Sequence, residues 1–281
     1  MVSETDTRRL AGERVKVQRA YDLRVRKPSD LADVLALTTL DPGRPRLTWY
    51  GDGGERIELS GAVLANWVSK TTNLLVEEFD AGPGVRVGLD LPAHWRTVVW
   101  ALAAWRCGAC VVVGAGAGDA DLGVTDRPEL HGGVDQLVAV ALPGFARTFG
   151  GELPAGAVDA AGAVMTYGDV IGWAPAVEPG EAALEASGAA SGGGVDVAVS
   201  HAALVAWGID GAGAPDRARA LVPAAADRDG GVVTLLRGVL GVLAGDGSMV
   251  VLGAAMVEEL AADPARRERL VASERVTPGI T

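Results

Sequence analysis

The sequence predicts an α/β protein of layered, mostly parallel sheets with flanking helices. Short apolar runs that suit buried strands alternate with segments in which apolar residues recur at helical spacing. Glycine- and proline-rich segments separate these runs, and 49% of the 281 residues are hydrophobic, which supplies a large core. Because parallel strands need a crossover connection that is usually a helix, the alternation favours parallel pairing.

Each element is predicted from its local pattern of apolar, glycine and proline residues. The predicted strands are residues 47–50, 56–60, 85–91, 109–114, 122–126, 137–142, 195–199, 220–224 and 248–252. The predicted helices are residues 31–37, 64–75, 97–106, 202–209, 232–243 and 264–273. Ser29 or Asp30 is expected to cap the first helix and Ser60 the second, because these side chains accept from free amide groups. Surface loops are expected at residues 114–120 and 143–163.

The amino-terminal residues 1–27 differ from the rest of the chain, since they are polar and rich in arginine without a hydrophobic period. We interpret them as a disordered basic tail; an arm for an acidic partner and an upstream start codon are the alternatives. Residues 28–281 are predicted to form one α/β domain, with subdomains at 28–180 and 181–281, because the length suits one large domain or two small ones.

The charge of the chain is strongly uneven. The net charge is −11, and eight of the 25 basic residues lie within residues 1–27, so the remainder carries 17 basic and 32 acidic groups. Such an acidic body argues against nucleic acid and anionic membranes as partners. The most apolar long stretch, residues 232–256, is interrupted by Arg237 and Asp246, and the first residues lack the apolar core of a signal peptide. We therefore expect a cytoplasmic protein.

The strongest candidate for a binding site is the glycine-dense stretch 186–201, which reads ASGAASGGGVDVAVSH. Glycines let backbone amide groups approach an anion closely, and serine hydroxyls add donors. The candidate nucleotide-binding residues are Ser187, Gly188, Ser191, Gly192, Gly193, Gly194, Ser200 and His201. The charge of the stretch opposes this reading, because it carries Asp196 and no lysine follows Lys70. An inherited turn without a ligand is the alternative, with Ser200 as a helix cap.

Several short motifs occur in an order that is typical of one enzyme family. They are Leu64-Ala65-Asn66, Gly84-Val85-Arg86-Val87, Trp105-Arg106-Cys107-Gly108-Ala109, Ser187-Gly188 and Ser200-His201. In this order the chain resembles the amino-terminal part of the AMP-forming adenylating enzymes: acyl-CoA synthetases, luciferases and peptide-synthetase adenylation domains. It is also similar to a small actinobacterial family described by that same distant similarity. The family's phosphate loop carries two threonines and Pro-Lys-Gly. Here neither threonine is retained, the Pro-Lys-Gly is absent, and the spacing between the Ser-Gly and Ser-His pairs is one residue longer.

The resemblance implies an incomplete adenylation core, with ATP or AMP as the candidate cofactor. In the family, a second lysine, a magnesium-binding glutamate and a ribose-binding aspartate follow the part that this chain matches. Our hypothesis is a non-catalytic relative, a pseudoenzyme that binds a small ligand or a protein partner. One alternative is an AMP-forming ligase that is active only with a second chain supplying the missing half. The other is an assembly protein, since a sheet edge exposed by truncation would favour a homo-oligomer.

The remaining motifs favour structural roles, and no catalytic or metal-binding residue is assigned. Cys107 and Cys110 form a C-x-x-C at a helix end, without the further ligands that zinc requires. Gly114, Gly116 and Gly118 come near a dinucleotide fingerprint, but no helix is predicted to follow them, which favours a plain turn. Of the three histidines, His94 is expected in an exposed loop.

Overall fold

The computed structural model describes residues 27–131, 134–187, 196–224 and 228–278. The strands are β1 (Pro45–Tyr50), β2 (Arg56–Ser60), β3 (Arg86–Asp90), β4 (Cys110–Val113), β5 (Leu122–Thr125), β6 (Leu137–Ala139), β7 (Val158–Asp159), β8 (Ala182–Ala186), β9 (Val197–Ser200), β10 (Arg219–Pro223) and β11 (Ser248–Leu252). The α-helices are α1 (Leu31–Thr38), α2 (Gly61–Phe79), α3 (Trp95–Arg106), α4 (Ala160–Ala163), α5 (Leu204–Ala212), α6 (Arg228–Ala244), α7 (Ala254–Ala262) and α8 (Pro264–Ser273).

The larger sheet has seven strands in the order β7-β6-β5-β3-β4-β8-β9. All neighbouring strands run parallel except β8 and β9, which form an antiparallel pair around the glycine-rich stretch. Buried strands such as β4, whose four residues Cys110–Val113 are all buried, read as continuous apolar runs because both faces of the sheet are covered. The predicted α/β class with a mostly parallel sheet is confirmed.

The smaller sheet has four strands in the order β10-β11-β1-β2. Strands β10, β11 and β1 are parallel, while β1 and β2 form the predicted antiparallel hairpin. Strands from either side of residue 180 therefore share both sheets. One large core cluster joins apolar residues of the two sheets and of the helices α1, α2, α3 and α6. A second cluster covers the other face of the smaller sheet with α7 and α8.

Helix starts follow the capping rules at the two positions that the sequence predicted. The carboxylate of Asp30, not the hydroxyl of Ser29, accepts from the amide of Asp33 at the start of α1. Ser60 accepts from the amide of Val63 at the start of α2. Helix α5 differs, because its first turn is preceded by Ala203 and has no side-chain cap. The expectation that Ser200 caps this helix is wrong.

Four elements were not predicted. Strand β7 and helix α4 lie within the loop expected at 143–163, and two strand residues are too few to show an alternating pattern. Strand β8 reads Ala-Ala-Leu-Glu-Ala, without the β-branched residues that mark strands. Helix α7 follows β11 after the single residue Gly253. The loop expected at 114–120 contains a 3₁₀ turn that crosses the sheet at Gly88, where a Cβ would lie 2.3 Å from the Ala117 carbonyl.

The predicted tail falls outside the described residues except for Lys27. Among the helices that the structure describes, none combines the length and the apolar character needed to cross a membrane.

Candidate functional site

The main candidate site is a cavity of about 670 Å³ where the carboxyl edges of both sheets meet. The residues that follow β1, β3, β6, β10 and β11 all line it: Gly51, Pro92, Leu142, Ala224 and Gly253. We call it the carboxyl-edge cavity. Ligands of open α/β sheets bind outside the carboxyl ends of the strands, because the loops and helix starts there present free polar groups. The fold therefore gives this cavity the position of a binding site.

His94 supplies a free hydrogen-bond donor inside the cavity. The side chain is only 4% exposed, and its Nδ1 accepts from the amide of Arg96 at the start of α3. Burial and the nearby Arg96 guanidinium lower the pKa of His94 to about 3, so the ring is neutral near pH 7. The proton of the neutral ring then sits on Nε2, to which no other described residue hydrogen-bonds. A ligand acceptor is the partner that this N–H lacks.

The start of helix α7 adds backbone donors to the same cavity. Gly253 precedes the helix and provides no side-chain cap, and the first intrahelical bond runs from the amide of Val257 to the carbonyl of Gly253. The amides of the first turn thus have no intrahelical acceptor. Because Ala254 and Ala255 line the cavity, this positive helix end faces the cavity.

Three acidic residues, Asp52, Glu55 and Glu258, line the same cavity. Glu55 is held inside the protein, since it accepts from the Trp49 indole at 3.1 Å and from the amide of Gly144 at 2.7 Å. The Trp49 ring in turn packs edge-on against His94, with ring centroids 4.4 Å apart. These contacts fix the orientation of the aromatic wall that a ligand would touch.

Next to the cavity, Asp90 at the end of β3 anchors a network of charged side chains. It accepts from the Thr125 hydroxyl at 2.7 Å and from His131 Nε2 at 2.9 Å, and it pairs with Arg127 and Arg228. Burial alone would raise the pKa of Asp90, but hydrogen bonds from Arg127 and His131 bring it down to about 2. The Asp90 carboxylate is therefore ionised near pH 7.

Arg228 is the one arginine among the described residues that line the cavity, and its charge is already compensated. Its Nε donates to Asp90 at 3.2 Å, and its Nη2 donates to the Asp90 carbonyl and to the carboxylate of Asp126. No lysine lies among the described lining residues. A polyphosphate in this cavity would thus meet three carboxylates and no uncompensated side-chain cation of the described part.

The glycine-rich stretch leaves the larger sheet at the same edge as the cavity. Ser187 directly follows β8, which runs parallel to β4. The next five predicted site residues lie outside the described residues: Gly188, Ser191, Gly192, Gly193 and Gly194. A phosphate cradle in this stretch stays a prediction.

Ser200 and His201 lie at the other edge of the sheet from Ser187. Ser200 ends β9 opposite Ala182, the first residue of β8. A strand rises about 3.3 Å per residue, so the five residues of β8 separate the two groups by roughly 15 Å. His201 Nε2 donates to the carbonyl of Gly108, 3.1 Å away, which lies before β4. Of the predicted site residues that the structure describes, Ser187 thus lies at one edge of the sheet and Ser200 and His201 at the other.

The expectation that His94 occupies an exposed loop is wrong, because the ring is buried as the cap of α3. The structural interpretation of the C-x-x-C agrees with the geometry. Cys107 ends α3, Cys110 begins β4, and burial raises the pKa of the two thiols to about 11 and about 12. Within the described ranges, no three His, Cys, Asp or Glu side chains are grouped so as to hold a metal ion.

The sequence interpretation missed Asp90 and Arg228 as parts of the site. Their signal was their position, since Asp90 ends a predicted strand and Arg228 precedes a predicted helix. The carboxyl ends of parallel strands share one edge of a sheet, and the helices that follow the strands begin there. Both residues could therefore be expected near that edge. Their contact could not be inferred, because the two residues are 138 positions apart.

Sequence comparison identifies a relative of high coverage. A TIGR03089 family protein of Mycobacterium tuberculosis (strain ATCC 25618 / H37Rv) is 36% identical over 245 residues, which is 84% of this chain and 91% of the relative. No protein-family model matches the chain. The relative is an actinobacterial protein, as expected, and the resemblance to the adenylating enzymes stays a prediction. On this identity and coverage, the chain belongs to the TIGR03089 family.

Proposed function

We propose that this protein is a non-catalytic relative of the AMP-forming adenylating enzymes that binds a small organic ligand in the carboxyl-edge cavity. The observation that carries the proposal is that a donor without a described partner opens into the cavity beside a cation whose charge is compensated. His94 Nε2 and the uncapped start of α7 offer hydrogen bonds to a ligand oxygen. Arg228, in contrast, is held by Asp90 and Asp126 and offers little charge to a triphosphate.

The charges that line the cavity favour binding of a small ligand over chemistry on ATP. Transfer of a nucleotidyl group needs positive charge on the departing pyrophosphate. The described lining residues carry the acids Asp52, Glu55 and Glu258 instead, which repel a polyanion. A neutral or singly charged ligand avoids most of this repulsion and still accepts from the donors of His94 and α7.

The test compares two probes on the purified full chain. A non-hydrolysable acyl-sulfamoyl adenosine carries about one negative charge, and ATP carries about four. At about 100 times its dissociation constant, the first should stabilise the fold by about 2.7 kcal/mol, a melting rise of roughly 5–10 °C. ATP should give no rise, and carboxylate-dependent exchange of pyrophosphate into ATP should stay at background.

A blocking variant locates the binding. Ala254→Trp places a large ring at the cavity wall and should remove the rise, whereas Ala262→Trp, at an exposed position at the end of the same helix, should keep it. Exchange above background that is lost in Ser187→Ala would favour the ligase alternative. If neither probe shifts the melting temperature, the ligand-binding proposal fails.

The assembly alternative rests on a separate observation. Strands β9 and β10 are the outermost described strands on one side of the two sheets. Val197 of β9 and Ala220 of β10 line one open groove of about 530 Å³, so both unpaired edges lie on the same side of the molecule. Exposed backbone donors and acceptors at such edges favour pairing with a second copy. We expect a dimer by light scattering; a monomer across a hundredfold range of concentration would contradict it.

A further inference from the structure

A second cavity, of about 360 Å³, lies at the amino edge of the seven-stranded sheet. We call it the amino-edge cavity. It is bordered by the start of α1, the end of α3, the segment before β8 and the turn into α5. Its apolar wall includes Leu31, Trp105, Val177, Pro179 and Leu204. The volume falls in the range of small-molecule sites, and the wall resembles one in being mostly apolar with few polar groups.

His201 presents a free acceptor at this cavity. The side chain is 6% exposed and lines the cavity wall. Its Nε2 lies 3.1 Å from the Gly108 carbonyl, and a carbonyl only accepts, so Nε2 carries the proton. Burial lowers the pKa of His201, which keeps the ring neutral near pH 7. Nδ1 then has a lone pair, and no group of the described residues donates to it.

Two of the neighbouring polar groups are engaged elsewhere. Asp30 accepts from the amide of Asp33 at 2.8 Å at the start of α1. The Trp105 indole N–H, which is buried beside the cavity, donates to the Ala183 carbonyl at 2.6 Å. Arg106 also lines the cavity, but no described hydrogen bond joins its guanidinium to His201. His201 Nδ1 is open to the cavity, so a bound donor would take the place of water there. The cavity thus combines a mostly apolar wall with one acceptor that has no donor among the described residues.

We propose that the amino-edge cavity binds a small, mostly apolar molecule with a single hydrogen-bond donor, a hydroxyl or an aromatic N–H, which donates to His201 Nδ1. The site is separate from the carboxyl-edge cavity, since the five residues of β8 lie between the two edges of the sheet. The proposal does not depend on the function proposed for the other cavity.

The test uses two probes of nearly equal size on the full chain. Indole carries one aromatic N–H, and 1-methylindole has a methyl group in its place. Indole should bind saturably at millimolar concentration in ligand-detected NMR, and 1-methylindole should bind at least about tenfold more weakly because it leaves Nδ1 without a donor. Equal binding of the two probes, or no binding of indole, would overturn the proposal.

Two variants assign the binding to this cavity. His201→Phe keeps a ring but removes the acceptor, so it should abolish the preference for indole. Ala202→Phe fills the cavity from its exposed rim, where the backbone bond to the Pro179 carbonyl is unaffected, and should abolish the binding of both probes. Ala203→Phe, at the adjacent exposed position outside the cavity, is the matched control and should bind indole like the wild type. Binding that survives Ala202→Phe would place the probe elsewhere and refute the assignment.

Discussion

The carboxyl and amino edges of the larger sheet each hold a buried, neutral histidine at a cavity, but the two rings present opposite groups. His94 uses Nδ1 to accept from a backbone amide and leaves Nε2–H as a donor. His201 uses Nε2–H to donate to a backbone carbonyl and leaves Nδ1 as an acceptor. The choice follows from the ends of the elements: helix starts offer amide groups, and the turn before β4 offers a carbonyl. One residue type thus presents a donor at one cavity and an acceptor at the other.

The edges also differ in how they are held. At the carboxyl edge, Asp90 joins β3 to the segment after β5 and to α6 through charged side chains. At the amino edge, the contacts of Trp105 and His201 are hydrogen bonds to backbone carbonyls within an apolar wall. Acid therefore acts first on the buried neutral histidines, whose protonation opposes folding below about pH 6.5, and later on the Asp90 carboxylate, whose pKa is about 2.

The largest expected effect is the acid sensitivity that His94 confers. Its folded pKa of about 3 lies below the ordinary 6.5, so below pH 6.5 the unfolded chain binds a proton that the folded chain does not. Stability is full above pH 6.5 and falls by about 1.4 kcal/mol per pH unit toward pH 3, roughly 5 kcal/mol in all. His94→Asn, which can still accept from the amide of Arg96, should flatten this slope in urea denaturation between pH 7 and 4.

The matched change His201→Asn tests the corresponding histidine at the amino edge. The pKa of His201 is also lowered by burial, so this variant should flatten part of the same slope. Parallel stability curves for the wild type and His94→Asn would show that the ring is not buried in neutral form.

The next effect is the loss of the ionic anchor. Asp90→Ala leaves Arg127 and Arg228 without their shared carboxylate. Because the Arg127 and Arg228 side chains are 42% and 26% exposed, we expect a loss of about 2 kcal/mol at pH 7. Urea denaturation measures the loss. The matched control is Glu259→Ala, which breaks an exposed pair with Arg266 and should change stability by less than about 0.5 kcal/mol. Equal effects of the two variants would contradict the role of Asp90.

Protonation of the Asp90 carboxylate produces a second, more acidic pH range in which the free energy of unfolding falls. Its folded pKa of about 2 lies below the ordinary 3.8, so its contribution is present above pH 3.8 and is lost as the pH falls toward 2. In the wild type this loss, roughly 2 kcal/mol, begins where the His94 slope is ending. Asp90→Asn should not show this second loss of stability and should keep the loss that His94 causes between pH 6.5 and 3.

The sequence predicted most elements but not how they meet. Residues 248–252 and 264–273 were predicted with their observed bounds, because a dense apolar run and a proline start mark them locally. Strand β8 was missed because alanines carry no strand signal, and its place beside β4 is fixed by the core. His94 was assigned to a loop because Pro92 precedes it, whereas the following helix uses the ring as its cap.

The site was predicted less well than the fold. Local composition identified the glycine-rich stretch, of which only Ala186, Ser187 and the residues from Asp196 onward fall in the described part. The two cavities depend on which strand ends and helix starts come together, which no local pattern contains. The pairing of Asp90 with Arg228 is the plainest example, since the two residues are 138 positions apart in the sequence.

The most direct test of the two cavity assignments is the side-chain ¹⁵N spectrum of the three histidines, recorded with each probe in turn. Both His94 and His201 should show the neutral form protonated at Nε2 at pH 7. The acyl-sulfamoyl adenosine should shift the Nε2–H signal of His94 and leave His201 unchanged, while indole should shift Nδ1 of His201 and leave His94 unchanged. An adenosine probe that leaves the His94 signal in place, or that shifts both rings alike, would contradict the assignment of a ligand site to the carboxyl-edge cavity.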